Sequence, residues 1–329
     1  MSTVDTPPGK ASLPKERVTV VGAGLMGHGI AQVFATAGHN VWLVEADPAI
    51  LASAQNRIRE NLARMARYAL VETPEIEGIV ARIATTHDLG RACDGCDVVI
   101  EAVTEDLSLK QLLFTDMDRY APPRAVLCTN TSAIQIAAIA QGAARRERIL
   151  GTHFWNPPFL IPLVEVVQTE ETAEWAVEAI YALLTRAGKH PVHVKRDVPG
   201  FIGNRLQHAL WREAFALIDA GVCDPATVDE VVCNGFGLRL PVLGPVVNAD
   251  LVGLDLTFAI HDYLLKHLNT AAVPSSTLKA LVREGRLGFK TGRGFLEWSD
   301  AGMAATRERL IDHLMKVLAE RKRSGGGRL

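Results

Sequence analysis

The first half of the chain alternates short apolar runs with stretches in which apolar residues recur every three or four positions. Short apolar runs bounded by turn-forming residues are typical of buried strands, and the intervening period is typical of amphipathic helices. The predicted strands are 17–21, 40–44, 97–103, 125–129, 149–154, 164–167 and 191–194. This alternation predicts an α/β domain with a doubly wound, mostly parallel sheet, because crossover helices would cover both of its faces.

Beyond residue 196 helical periodicity dominates the chain. The predicted helices are 201–220, 225–233, 244–268, 276–284 and 301–321, with one short strand at 295–298. Asp197 and Pro199 interrupt the pattern, which indicates a domain boundary. We therefore predict a disordered lead-in over 1–16, a first domain over 17–196 and an all-helical C-terminal domain over 197–329. The large apolar content of the last domain favours a homodimer formed through it.

Composition narrows the classes of function. With 329 residues and a net charge of −2, the chain is long enough for two domains and has no global field to attract nucleic acid or an anionic membrane. No apolar run is long enough to span a bilayer, and the first sixteen residues lack the apolar segment of a secretory signal. Five cysteines do not suggest a disulfide framework, and Cys93 and Cys96 have no further ligands to complete a zinc site. We therefore expect a cytoplasmic protein without a bound metal.

The sharpest local motif is VTVVGAGLMGHG, in which three glycines follow the first predicted strand. The glycines permit a tight turn, a close approach of the backbone to a pyrophosphate and close packing of the following helix, whose N-terminus attracts phosphate. Glu45 ends the second predicted strand, where its carboxylate can bind ribose hydroxyls and would repel a 2′-phosphate. This order of strand, glycines, helix, strand and acid predicts a Rossmann-type domain that binds NAD. The alternative is that the glycines serve only the turn and the packing. The predicted cofactor-binding residues of this region are Gly22, Gly24, Leu25, Met26, Gly27 and Glu45.

A second group of residues carries the candidate chemistry. His153 ends a late strand, where ligands bind in an open α/β sheet, and Glu165 lies inside the next apolar run. A carboxylate in such a run needs a partner, and pairing with His153 would orient the imidazole and stabilise the imidazolium. Ser132 follows the strand 125–129, and Asn204 begins the first helix of the second domain. Ser132 is equally well explained as the N-cap of the following helix, and Asn204 as the source of a hydrogen bond at the domain junction. Taken alone, each of these structural interpretations is as acceptable as a role in the chemistry.

Five segments, GAGLMGHG, EAVTED, TNTSAI, HFWNPP and DVPGFIGNRL, occur in an order that resembles the L-3-hydroxyacyl-CoA dehydrogenase family. The resemblance extends from about residue 17 to residue 298. It implies a Rossmann domain followed by a helical dimerisation domain, and NAD-dependent oxidation of a secondary alcohol. It further implies that His153 is the general base, that Glu165 is its charge partner, and that Ser132 and Asn204 hold the substrate oxygen and the histidine.

The same resemblance assigns cofactor and substrate contacts. Glu105 and Lys110 match positions beside the nicotinamide end of NAD, and Asn130 is a further predicted cofactor contact. Acyl-CoA-using members carry a Ser and a Lys that contact coenzyme A, where this chain has Asn61 and Tyr68. The residues predicted to contact substrate are Asn61, Arg64, Trp155 and Asn156.

The sequence does not decide between an acyl-CoA substrate and a small free acid. Arg57, Arg59, Arg64 and Arg67 line one predicted helix, which is either a solvated face or an anion-binding surface. The Asn-Pro-Pro sequence after Trp155 looks like the branches of the family that act on small free acids: gulonate, carnitine and a pyridine carboxylate. The later GFKTGRGF segment is like the acyl-CoA members.

Two other functions compete with the leading one. In the β-hydroxyacid dehydrogenases that use a catalytic lysine, the lysine lies four residues before the interdomain asparagine, but position 200 here is glycine. A dinucleotide-binding protein kept for a structural role, like the lens crystallins of the family, is the third hypothesis. The intact set of His153, Glu165, Ser132 and Asn204 argues against it.

Overall fold

The computed structural model describes residues 15–324, and the chain divides into two compact units that meet between Phe201 and Ile202. The boundary predicted from sequence lies five residues earlier, between 196 and 197. Of the predicted lead-in over 1–16, residues 1–14 lie outside the described part of the chain. Within the described residues, no helix has the length and apolar character needed to cross a membrane.

The first unit is built on a sheet of eight strands in the order β3-β2-β1-β4-β5-β6-β7-β8. Its strands are β1 Arg17–Val21, β2 Asn40–Val44, β3 Ile83–Thr86, β4 Val98–Glu101, β5 Val126–Thr129, β6 Ile149–Phe154, β7 Leu163–Val167 and β8 His190–Val194. Neighbouring strands are parallel except for β6 and β7, which are antiparallel. The order changes direction between β1 and β4, and this is the switch point at which an open α/β sheet binds its ligand. The predicted doubly wound, mostly parallel sheet is confirmed.

The strand predictions missed one strand and included one that does not form. Strand β3 was not predicted, because it lies at the edge of the sheet and only Ile83 of its four residues is buried, so no apolar run marks it. The strand predicted at 295–298 does not form. Its only ladder contact is an isolated bridge between Arg293 and Glu297, within a compact turn of the second unit.

Helices cover the sheet of the first unit: α1 Gly27–Thr36, α2 Pro48–Ala66, α3 Ile76–Ala81, α4 Leu89–Cys93, α5 Leu107–Tyr120, α6 Ile136–Ala140 and α7 Glu174–Arg186. Helix α2 begins where the Asp47 carboxylate accepts hydrogen bonds from the backbone N–H groups of Ala49 and Ile50. Pro48 occupies the first helical position, where no N–H is needed. The buried residues of α2 recur every three or four positions and are Leu51, Ala54, Ile58, Leu62 and Met65.

The second unit is helical in its described part: α8 Gly203–Asp219, α9 Pro225–Asn234, α10 Pro245–Val252, α11 Leu254–Leu264, α12 Ser276–Arg283 and α13 Asp300–Arg323. The single helix predicted over 244–268 is two helices. Gly253 separates them with a φ of 103°, a conformation that breaks an α-helix and that only glycine adopts at little cost. The all-helical character predicted for the C-terminal domain is confirmed.

Candidate active site

His153 and Glu165 face each other across the one antiparallel strand pair of the sheet. Their Cα atoms are register partners in β6 and β7, which brings the two side chains together on one face. His153 Nδ1 lies 2.8 Å from Glu165 Oε2, and both side chains are buried. An ionised carboxylate can only accept, so Nδ1 donates its proton and Nε2 carries the lone pair. The contact predicted between these residues is present, and in this arrangement Nε2 carries no proton.

Ser132 brings a hydroxyl to that ring nitrogen. It lies on the loop after β5, and its Oγ is 3.1 Å from His153 Nε2. Because β5 and β6 are parallel neighbours, the loop after β5 and the C-terminal end of β6 lie at the same edge of the sheet. A substrate hydroxyl that contacts both Oγ and Nε2 would be held where the imidazole can take its proton.

Glu105 holds the Ser132 loop in place. Its Oε1 accepts hydrogen bonds from Thr131 Oγ1 at 2.5 Å and from the backbone N–H groups of Ser132 and Ala133, each at 3.1 Å. Although burial opposes ionisation, these hydrogen bonds and the nearby Lys110 charge keep the pKa of Glu105 below its ordinary value. An ionised Glu105 therefore fixes the backbone that carries Ser132; its contact with NAD stays a prediction.

Lys110 is part of a buried ion-pair network. Its Nζ lies 2.7 Å from Glu101 Oε1 and 3.5 Å from Glu105 Oε2, and the Lys110 and Glu101 side chains are fully buried. Glu101 Oε2 accepts a further hydrogen bond from Thr129 Oγ1 at 2.7 Å. The Lys110 ammonium thus has two carboxylate partners, and the predicted cofactor contact is untested. Glu101 was missed, although a carboxylate ending the apolar run DVVIE is the same signal that indicated Glu165.

Aromatic rings surround the imidazole. The ring centroids of Trp155 and Phe201 lie 5.3 Å and 5.6 Å from that of His153. Phe201 is buried and has a φ of 49°, a left-handed conformation that is strained for an aromatic residue and is found mainly at functional sites. No pattern in the sequence indicated Phe201. Asn130 Oδ1 accepts from the backbone N–H of Phe154 at 2.8 Å, so it links the loop after β5 to β6.

The glycine motif has the shape of a phosphate-binding loop. Gly22 has a φ of 97°, and a Cβ there would lie 2.7 Å from the Ala102 carbonyl oxygen. A Cβ on Gly27 would overlap the Gly22 carbonyl, whereas one on Gly24 would meet nothing within 4 Å. The first and third glycines are therefore required by packing, and the second leaves an open approach to the backbone. Glu45 Oε2 accepts from the Ala23 N–H at 2.8 Å, which places the carboxylate beside this approach. The residues fit a bound dinucleotide.

The predicted substrate contacts are more dispersed. Asn61 donates to Gln32 Oε1 at 3.1 Å. Arg64 lies in the last turn of α2, and Asn156 is exposed next to the cis peptide bond with Pro157. Asn204 lies in the first turn of α8 in the second unit, so its predicted role stays a prediction. No cluster of potential metal ligands occurs among the described residues.

Lys189 was not anticipated from the sequence. It precedes β8, and its ammonium donates to the backbone carbonyls of Pro158 and Ile161, the latter at 2.7 Å. These carbonyls belong to the loop that follows His153 and Trp155. Burial lowers the pKa of Lys189 to about 8. A neutral amine keeps two N–H donors, so it can still hold both carbonyls.

We expect the stability advantage of the wild type over Lys189→Met to increase by about 2 kcal/mol between roughly pH 7.5 and pH 9.5. In the native state Lys189 loses its proton near pH 8, whereas the unfolded chain keeps it to about pH 10.4. In this window the unfolded state binds more protons, so the contribution of Lys189 to the free energy of unfolding rises with pH. Urea denaturation at both pH values, with exposed Lys195→Met as the control, measures the difference. A difference that shrinks with pH would contradict the prediction.

Comparisons with known proteins agree with this geometry. The model for the 3-hydroxyacyl-CoA dehydrogenase NAD binding domain matches residues 17–198, and that for the 3-hydroxyacyl-CoA dehydrogenase C-terminal domain matches residues 200–298. The chain is 37% identical over 290 residues to hydroxyacyl-coenzyme A dehydrogenase, mitochondrial, of Sus scrofa, covering 86% of this chain and 91% of the relative. It is 31% identical over 308 residues to 5-formyl-3-hydroxy-2-methylpyridine 4-carboxylate 5-dehydrogenase of Mesorhizobium japonicum, covering 93% and 99%.

Two solved structures are similar to most of this chain. The crystal structure of a 5-formyl-3-hydroxy-2-methylpyridine 4-carboxylic acid 5-dehydrogenase, an NAD+-dependent dismutase, has a TM-score of 0.86 at 30% identity, covering 93% of this chain and 99% of that one. That of FadB2 from M. tuberculosis has a TM-score of 0.73 at 36% identity, covering 87% and 99%. Enzymes named for coenzyme A thioesters and one named for a free pyridine carboxylate thus both align with most of this chain.

Proposed function

Because this chain belongs to the 3-hydroxyacyl-CoA dehydrogenase family, we propose that it oxidises the secondary alcohol of a 3-hydroxyacyl thioester to a ketone, with NAD as the hydride acceptor. The chain is an NAD-dependent oxidoreductase acting on CH–OH. The observation that carries the proposal is the His153–Glu165 pair, with Ser132 Oγ 3.1 Å from the free ring nitrogen.

The proposed mechanism begins with the substrate hydroxyl bound between Ser132 Oγ and His153 Nε2. His153 accepts the hydroxyl proton as the carbon–oxygen bond becomes a carbonyl. Bound NAD supplies the acceptor for the hydride that leaves the same carbon. Ser132 donates its hydrogen bond to the substrate oxygen, which keeps that oxygen in reach of the base.

Glu165 completes the arrangement as a positioning residue. It does not touch the substrate, but its carboxylate selects the tautomer in which Nε2 is unprotonated. When His153 takes the proton, the imidazolium and the Glu165 carboxylate form a buried ion pair at 2.8 Å. The same carboxylate therefore orients the base before the reaction and stabilises its charge afterwards.

The substrate prediction is tested by rates of NADH formation with a thioester and with free acids. With 3-hydroxybutyryl-CoA we expect a kcat/KM about a hundredfold above that with 3-hydroxybutyrate, gulonate or carnitine, which corresponds to about 3 kcal/mol of transition-state binding by the coenzyme A part. The reverse ranking would contradict the thioester assignment. An enzyme that binds NADH but oxidises none of them would contradict the catalytic assignment as well.

A second substrate class is favoured by the extent of the match to a relative named for a free acid. The alignment with the pyridine carboxylate dehydrogenase covers 93% of this chain, against 86% for the mitochondrial enzyme, and its crystal structure has the TM-score of 0.86. The family model also ends at residue 298, before α13 begins. The free-acid candidate is therefore a small carboxylate on an aromatic ring, and a pyridine carboxylate with a hydroxymethyl or formyl group belongs in the same panel.

We also propose that the chain forms a homodimer through its second unit. Large apolar side chains of α10 and α11 are exposed within this chain, including Val246, Leu251, Leu254, Phe258 and Tyr263. Monomers rarely expose large apolar patches, so this number of exposed apolar side chains on two successive helices favours a partner surface. Sedimentation of the full chain as a monomer at micromolar concentration would contradict the dimer.

A further inference from the structure

Arg57 lies in the middle of α2 and reaches back to the glycine motif. Its Nη2 donates to the Ala23 carbonyl at 2.7 Å and approaches the Ile50 carbonyl at 3.4 Å. Ala23 is also the residue whose N–H donates to Glu45, so the two charged side chains bind the consecutive peptide groups on either side of the Ala23 Cα. The guanidinium is therefore held against the cofactor loop by backbone contacts.

The neighbouring side chain cannot accept a hydrogen bond from Arg57. Arg57 Nη1 lies 3.3 Å from His28 Nδ1, and that same nitrogen lies 2.6 Å from the Gly24 carbonyl oxygen. A carbonyl only accepts, so His28 Nδ1 must carry a proton and has no lone pair for Arg57. Burial, together with the Arg57 charge, lowers the pKa of His28 against the opposing effect of the Gly24 carbonyl, which keeps the ring neutral. His28 therefore donates to Gly24 and offers Arg57 Nη1 no acceptor, although the two nitrogens lie 3.3 Å apart.

A second observation concerns the charge of Arg57. None of the ion pairs formed by the described residues includes Arg57, and its Nε is buried without a hydrogen-bond partner. Arg59, two residues further along the same helix, is different, because its Nε lies 3.0 Å from Glu77 Oε1 at the exposed surface. A partly buried cation without an ion-pair partner is costly, so its position beside a ligand loop points to a charge that the ligand brings.

We propose that Arg57 is the counter-charge for a phosphate group of a bound nucleotide. The glycine loop and the N-terminus of α1 attract phosphate, and the planar guanidinium fork matches its oxygens. Two nucleotides can supply the group: the pyrophosphate of the dinucleotide, or the coenzyme A part of a thioester substrate. The first source requires only that the chain binds NAD, whereas the second rests on the proposed function.

The test compares Arg57→Gln with the matched variant Arg59→Gln and with Arg57→Lys, which keeps the charge. For the cofactor, the NADH dissociation constant is measured by fluorescence titration at low and high salt. For the substrate, KM is measured with a 3-hydroxyacyl-CoA and with the same acyl group on pantetheine, which lacks the nucleotide phosphates. Thermal unfolding of each variant confirms that it is folded.

If the dinucleotide supplies the phosphate, Arg57→Gln weakens NADH binding about tenfold at low salt and reduces its salt dependence. If the substrate supplies it, NADH binding is unchanged and KM rises about tenfold for the coenzyme A thioester but not for the pantetheine thioester. Arg57→Lys retains the charge, so its loss of affinity is smaller than that of Arg57→Gln in whichever measurement changes. Arg59→Gln behaves like the wild type. The proposal is overturned if folded Arg57→Gln matches Arg59→Gln in both measurements, or if KM rises equally for both thioesters. Absence of turnover in the wild type would remove the proposed function, while the NADH titration would still decide on Arg57.

Discussion

Replacing His153 with alanine is expected to lower kcat by about a thousandfold or more, while the NADH dissociation constant stays within about twofold of the wild-type value. In the proposed mechanism the imidazole takes the substrate proton, because Nδ1 is bound to Glu165 and Nε2 lies 3.1 Å from Ser132 Oγ. A positioned general base contributes about a hundredfold to ten-thousandfold to a rate. The glycine loop follows β1, and β4 and β5 lie between β1 and β6 in the sheet, so the substitution has no reason to change cofactor binding.

The measurement is kcat by NADH formation with the best substrate of the panel, together with fluorescence titration of NADH. His193→Ala is the matched control, because His193 is an exposed residue of β8 that contacts Gln168 at 2.9 Å and not the site. The control should keep its wild-type rate. A His153→Ala enzyme that retains more than about a tenth of the rate would refute the assignment of His153 as the base.

Replacing Glu165 with glutamine is expected to lower kcat by about a hundredfold, with little change in KM. The substitution keeps the size of the side chain and removes its charge. The amide no longer stabilises the imidazolium that forms in the transition state, and it can hold the ring in either tautomer. The rate falls less than on loss of His153 because the base itself remains.

The double variant decides whether Glu165 acts through His153. If it does, His153→Ala with Glu165→Gln is no slower than His153→Ala alone, because the partner has nothing left to orient. A further loss of about a hundredfold in the double variant would show an independent role. Glu178→Gln, at an exposed position of α7, is the control for loss of a carboxylate, and unfolding of each variant by urea excludes a loss of folding.

Prediction from the sequence succeeded where the physical cause is local. A strand buried on both faces must be apolar along its length, so β1, β2 and β6 were predicted with the bounds that the structure has. The same reasoning failed for β3, because an edge strand needs only one buried residue, Ile83. It also failed over 244–268, where the helical period continues on both sides of Gly253 although the backbone breaks there.

The sequence by itself determined the Rossmann-type fold and the cofactor class, and it predicted that His153 pairs with Glu165, because glycine spacing, apolar runs and a carboxylate inside such a run are local signals. Only the tertiary structure decided the contacts between residues that are distant in the chain. The antiparallel turn from β6 to β7 sets His153 opposite Glu165, and β5 brings Ser132 to the same edge. The Arg57 contact with Ala23 spans 34 residues and the Lys189 contact with Pro158 spans 31. Such pairings follow from how helices and loops pack on the sheet, which periodicity along the chain does not encode.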